Sequence, residues 1–343
     1  MSDAATYRVI DMHTAGEPVR IVVEGYPALA GATILDKRRQ ARERHDVIRQ
    51  RLMLEPRGHA EMYGVIPVAP SAPGADLAVL FCHHEGYSTM CGHATIAMGR
   101  FAVDRGLVPV TRPVTRFGLE CPCGVVQVSV AIGADGRPGE VSFDSVPAFV
   151  LARDAELDVP GFGRVRFDIG YGGAFYAILP ASRIGVPLRD APIEAPLAAG
   201  RAITDAIRAA ITIAHPTEPD LGFLYGTILT DDVAPASGAP SANICVFGDG
   251  QIDRSPTGSG VTARLAVEHA RGRVRPGQRC LFTGATGLPF SGEIVATGRL
   301  AALDTITARV GGRAHYSGES VFRVEPDDPL ADGFLVDRFR APA

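Results

Sequence analysis

The sequence predicts an α/β protein of two related halves, with its chemistry in the cleft between them. Three observations carry that prediction. The chain has 343 residues, more than one hydrophobic core usually takes. The strand-like run 77–82 leads into Met90-Cys91-Gly92-His93, and Ile96, Ala97, Met98, Phe101 and Ala102 follow it at helical spacing. The same design recurs at Thr257-Gly258-Ser259-Gly260. Laying 91 on 257 matches Gly92 with Gly258, Ala97 with Ala263, Arg105-Gly106 with Arg271-Gly272, and Val108 with Val274. With the elements around each junction in the same order, this reads as an internal duplication.

In order along the chain, residues 7–13 and 19–24 alternate as strands about the turn 14–18, which makes a hairpin. Residues 34–53 repeat charged and apolar positions as a single helix, with Leu35, Ile48 and Leu52 on one side. The segment 55–64 breaks it and leads to a strand at 65–68. A helix over 91–105 ends at Gly106 and Pro109, and strands follow at 114–119, 124–131 and 139–146. Around Val165 the pattern is strand, glycine-rich turn, strand. A helix near 196–210, strands at 222–229 and 242–247, and an apolar helix from about Val261 complete the second half.

Composition excludes several functions. A net charge of −4 leaves no basic excess for nucleic acid or an anionic membrane, and no apolar run is long enough to span a bilayer. Residues 1–7 carry neither the basic region nor the apolar core of a signal peptide, so the expected compartment is the cytoplasm. Six scattered cysteines make no disulfide framework, and Cys121-Pro122-Cys123 lacks the second pair of a zinc site, so no metal is expected. Lys37 is the only lysine and reads as part of the solvated face of a charged helix, which argues against an internal imine with pyridoxal phosphate. His83-His84-Glu85 reads as a polar loop, since adjacent extended residues point to opposite faces.

A thiol at a strand-to-helix junction meets free backbone N–H groups and the positive end of the helix dipole, which favours the thiolate. Two such N-termini aimed at one point make an anion site, and a carboxylate held there would have its α-carbon between Cys91 and Thr257. Cys91 could remove an α-proton while the N–H groups stabilise the charge that spreads onto the carboxylate. Asp253 could hold a substrate ammonium, and His93 reads as a substrate contact at the cleft mouth. Arg57 and His59, in the loop after the first helical region, read as support for the cleft. Two-base racemisation needs a second group that titrates near the first, and a threonine hydroxyl does not. The pair Cys91/Thr257 suits one-sided proton removal, with the carbanion discharged by loss of a β-hydroxyl as water.

Four segments, 11–18 (DMHTAGEP), 55–59 (EPRGH), 90–93 (MCGH) and 253–258 (DRSPTG), together resemble the proline racemase family, in the same order and over nearly the whole chain. The resemblance implies a diaminopimelate epimerase-like fold: two pseudo-symmetric lobes, each a curved mixed β-sheet around a central helix, with the C-terminal segment returning to the first lobe. The expected lobes are 1–164 with 328–343, and 165–327. It implies that Cys91 is catalytic, that Gly92 and His93 contact the substrate carboxylate, that Asp253 lies near its nitrogen, and that Gly258 and Ser259 form the second carboxylate loop. It implies no cofactor, a small-molecule partner, and a monomer or homodimer. Racemases and 4-hydroxyproline 2-epimerases of the family have cysteine at the position of Thr257. A Cys/Thr pair resembles instead the members that dehydrate trans-3-hydroxy-L-proline to a pyrroline-2-carboxylate. The rival readings are an epimerase that relays its second proton through water or Thr257, and a non-catalytic sensor of cyclic amino acids.

Overall fold

The structure is a computed structural model that describes residues 5–336. Its strands form one continuous ladder that passes through two similar halves. Ala5–Thr14 and Glu17–Glu24 form the expected hairpin. Glu17–Glu24 then pairs in parallel with Tyr63–Val68, which pairs antiparallel with Leu77–His83. Leu77–His83 pairs in parallel with Val114–Cys121, and two antiparallel steps lead through Gly124–Ile132 to Pro138–Asp144. The second half repeats the sequence of steps. Gly163–Tyr171 pairs antiparallel with Phe175–Pro180, which runs parallel to Leu224–Thr230. Ser241–Phe247, Cys280–Thr283, Pro289–Leu300 and Leu303–Gly312 follow with the same alternation of senses. The duplication read from eighteen residues thus extends through both halves.

Strand pairing moves the expected lobe boundaries. A division after 164 would cut Gly163–Tyr171, and Phe149–Val159, on the wrong side of that cut, pairs with this strand along its length. The return to the first lobe comes before 328, because Ala314–Val324 lies antiparallel to Ala5–Thr14. Pairing therefore groups 5–144 with 314–324, and 149–312 as the second half. The halves join where Leu303–Gly312 pairs with Pro138–Asp144. Residues 337–343 of the expected first lobe lie outside the described residues.

There are five α-helices among the described residues: α1 (Ile34–Arg44), α2 (Asp46–Met53), α3 (Gly92–Asp104), α4 (Glu194–Ala210) and α5 (Gly258–Ala270). The single helix expected over 34–53 is two. Its first part begins at a Thr33–Asp36 capping box, and the chain leaves helical geometry at His45 (φ −131°, ψ 14°). Asp46 then opens α2 and accepts from Arg49 Nε at 2.7 Å. Lys37 is buried rather than solvated, with Nζ donating to the Ala69 carbonyl at 2.7 Å, far from the cleft residues in its contacts.

Helices α3 and α5 are buried on nearly every face, the pattern of a helix enclosed by its sheet. Each lies inside the curve of its own half, and the two meet end to end. A Cβ on Gly92 would lie 2.4 Å from Gly258 Cα, and one on Gly258 would lie 2.7 Å from Gly92 Cα. Only paired glycines allow the two N-termini this approach. No helix is long and apolar enough to cross a membrane among the described residues.

Candidate active site

Cys91, Gly92, His93, Asp253, Thr257, Gly258 and Ser259, all picked out from sequence, line one small, nearly closed cavity. Tyr63, Met90, Tyr176, Tyr225 and Phe247 complete its wall. Cys91 is the N-cap of α3, in extended geometry (φ −145°), and its Sγ accepts from the Ala94 N–H at 3.4 Å. His93 Nδ1 lies 3.1 Å from Sγ, and the Thr14 hydroxyl donates to the His93 carbonyl at 2.9 Å. The His93 ring packs edge-on against Tyr63, with centroids 4.8 Å apart.

The electrostatics correct one expectation. The Ala94 N–H does lower the Cys91 pKa, but burial outweighs it and pushes the thiol well above its ordinary value. Asp253 and Glu17 push in the same direction through their negative charge. His93 is buried too, which drops its pKa to about 3 and holds the ring neutral beside the sulfur. It is an enclosed wall residue rather than a contact at an open mouth.

Opposite Cys91, Thr257 caps α5 with φ +61° and ψ 92°, a backbone conformation that is costly for a β-branched residue. The surrounding hydrogen bonds hold it there. Its N–H donates to Ser255 Oγ at 3.1 Å and its hydroxyl to Asp253 Oδ2 at 2.7 Å. Because the hydroxyl is committed to Asp253, α5 has no side-chain cap of its own. Its first-turn N–H groups, at Gly258 and Ser259 in the cavity lining, are thus left without a side-chain acceptor. Ser259, in that turn, shares a 2.7 Å hydrogen bond with the Tyr176 hydroxyl.

Asp253 also accepts from the Ser255 N–H at 2.7 Å. Burial raises the pKa of Asp253 and of Glu17, which sits behind it. Glu17 accepts from the Arg254 N–H at 2.7 Å, and its charge and that of Asp253 act on each other. Sequence reasoning placed Glu17 only in a hairpin turn. Its signal was an acidic residue where a half-buried strand begins. The tyrosines were missed for a different reason: an aromatic residue in an apolar strand reads as core, and only the fold shows which core residues meet the cleft.

Two other residues sit differently from expectation. Arg57 does not reach the cleft: it donates to the Arg51 carbonyl at 2.8 Å and to the Ala331 carbonyl, pinning the C-terminal segment to α2. His59 Nδ1 accepts from the Glu61 N–H at 3.2 Å in the same loop. His83 and His84 are buried rather than in an open polar loop, with His84 against Gln251. No cluster of three or more metal-ligating side chains occurs among the described residues.

An α/β protein of two duplicated halves, with a buried thiol and a hydroxyl facing each other across two helix N-termini, is built for proton chemistry on a small carboxylate. Residues 9–335 match the family described as proline racemase, and the chain belongs to that family. It is 50% identical to the trans-3-hydroxy-L-proline dehydratase of Homo sapiens over 96% of this chain and 94% of that one. It is 41% identical to the protein of the same name from Colwellia psychrerythraea, over 96% and 93%. The crystal structure of a hydroxyproline epimerase from Agrobacterium vitis, with bound trans-4-hydroxy-L-proline, superposes with a TM-score of 0.92 at 26% identity, covering 98% of this chain and 96% of that one.

Proposed function

We propose that this chain is a hydro-lyase that dehydrates trans-3-hydroxy-L-proline. The observation that carries the reading is the unlike pair Cys91 and Thr257, with the Thr257 hydroxyl donating to Asp253. Two relatives that carry this activity in their names, at 50% and 41% identity over nearly the full chain, support it.

In this reading the first-turn N–H groups of α3 and α5, at Gly92, His93, Gly258 and Ser259, hold the substrate carboxylate, and Asp253 holds the ring nitrogen. Cys91, held as a thiol by burial, first gives up its proton and then as thiolate takes the α-proton, and the carboxylate and its N–H donors stabilise the charge that develops. The electron pair forms the Cα=Cβ bond as the β-hydroxyl leaves as water. The Δ2-pyrroline-2-carboxylate then tautomerises to the Δ1 imine in solution. No step calls for a cofactor. A soluble cytoplasmic monomer or homodimer is part of the same reading.

The test is turnover of trans-3-hydroxy-L-proline, trans-4-hydroxy-L-proline and L-proline side by side in deuterium oxide. Pyrroline from the 3-hydroxy substrate alone is the expected result. Inverted substrate carrying deuterium at Cα, in excess of pyrroline, would replace the reading with an epimerase, the activity named for the Agrobacterium vitis neighbour.

A further inference from the structure

We propose that the buried carboxyl pair Glu17 and Asp253 stores the proton that departs with the β-hydroxyl, and that Thr257 passes it forward. The inference rests on the dehydration reading and adds what that reading lacks, a source for the leaving group's proton.

Hydroxide is a poor leaving group, so the oxygen must be protonated as the carbon–oxygen bond breaks. The described groups around the cavity offer few donors. His93 is held neutral by burial and is engaged with the Cys91 sulfur. Burial drives the Tyr63, Tyr176 and Tyr225 hydroxyls well above their ordinary range. The Thr257 hydroxyl is too weak an acid to act alone, but it can conduct a proton if a stronger acid stands behind it.

That acid is the carboxyl pair. Asp253 Oδ2 is 2.7 Å from Thr257 Oγ1, and the Glu17 carboxyl, held by the N–H of the next residue Arg254, lies close enough to shift the ionisation of Asp253. Both carboxyl groups are enclosed, at 4% and 1% exposure. Two carboxylates in contact away from water do not both ionise, so the pair keeps one proton. Its position is set by the surroundings. Asp253 accepts from the Ser255 N–H and the Thr257 hydroxyl, which favour its ionised form. The Arg254 N–H at 2.7 Å and guanidinium at 3.8 Å lower the Glu17 pKa, but burial and the Asp253 charge outweigh them and raise it. Cys91, Cys245 and Tyr225 face Asp253 from the other elements and contribute no positive charge. The shared proton therefore lies between the two carboxyl groups, next to the Thr257 hydroxyl.

The transfer balances. Cys91 forms S–H as Cα–H breaks, and that electron pair becomes the second bond between Cα and Cβ. The Cβ–O bond breaks with its pair on oxygen, which takes the Thr257 hydrogen. Thr257 Oγ1 regains a hydrogen as the proton shared by the pair is delivered through Asp253 Oδ2, and the pair is left as two carboxylates. The cycle ends with one proton gained at Cys91 and one lost from the pair, and exchange with water restores both.

Glu17 acts through its neighbours and is a positioning and proton-storing residue, so the test must separate this role from support of the fold. Chloride departs without protonation. Pyrroline formation from trans-3-hydroxy-L-proline and from trans-3-chloro-L-proline is measured for the wild type, Glu17→Gln and Thr257→Val. The relay predicts that the rate ratio of chloride to water elimination rises about 10²-fold in both variants, and that Glu17→Asp brings it back towards the wild-type ratio. If Glu17→Gln does not fold, Thr257→Val decides. An equal fall on both substrates in the variants overturns the relay, because a merely structural defect would slow both reactions alike. A wild-type enzyme that eliminates chloride but not water overturns the dehydration reading itself, before any variant is compared.

Discussion

Cys91 and Thr257 sit at equivalent places in two copies of one design, so replacing either tests a single chemical difference. Cys91→Ser keeps the N-cap and its bond from the Ala94 N–H but loses the base, and elimination should fall about 10²–10⁴-fold in a steady-state assay of pyrroline. Thr257→Cys restores a second thiol on the opposite face. It should raise exchange of Cα–H with inversion and lower dehydration, read by chiral chromatography of proline incubated in deuterium oxide. At this scale the sequence was informative for residues adjacent to a junction, since Cys91, Gly92, His93, Thr257, Gly258 and Ser259 occupy helix starts recognisable from spacing. Glu17 was not legible, because its role comes from a strand start in one half meeting a loop of the other, 237 positions along the chain from the Arg254 N–H that it accepts.

The elements that matter most are α3 and α5, and their contact is made by backbone rather than side chains. Gly258→Ala places a methyl against Gly92 Cα, where no flexible neighbour can give way. A loss of about 1–3 kcal/mol in urea unfolding is expected, together with a loss of turnover, since the helix ends must separate. Periodicity located these helices and most strands of the first half. It joined α1 and α2 into one helix because the break at His45 is a backbone deviation with no proline or glycine to mark it. The strands after 280, exposed along much of one face, were not singled out. Their pairing with Pro138–Asp144 and Ala5–Thr14 is long-range, and no local pattern encodes it.

For the molecule as a whole, buried titratable groups tie stability to pH. Burial lowers His83 to about 3, His84 to about 4 and His93 to about 3, so all three are neutral in the fold and take up protons on unfolding below about pH 6.5. A group with a depressed folded pKa contributes stability above its unfolded value and loses it as pH falls. The Glu17–Asp253 proton works the other way, because the unfolded chain releases it above about pH 4. Three protons gained against one released, rising towards two as Asp253 titrates near 6, leave a fall of about 1–2 kcal/mol per pH unit between roughly pH 6 and 5. Urea midpoints at pH 7, 6 and 5 measure it, and a flat series would mean that these histidines are not held neutral. The two-lobed plan was legible from the repeated junction. The lobe boundaries were not, because the second copy begins with Phe149–Val159 and the first is closed by Ala314–Val324, a circular shift of the repeat that only the pairing reveals.

The glycine contact between the helices also bears on how such a site diverges. Each glycine forbids a side chain on the other, so neither position 92 nor 258 has a viable single-step neighbour, and a change at one cannot prepare the way for a change at the other. Positions 91 and 257, one residue earlier, point into the cavity and carry no such constraint. Novelty is thereby channelled: the lineage can explore reactions at the two caps while the floor beneath them stays frozen. A saturation library at 91 and 257 should yield mostly folded protein with altered product spectra, whereas one at 92 and 258 should yield almost none.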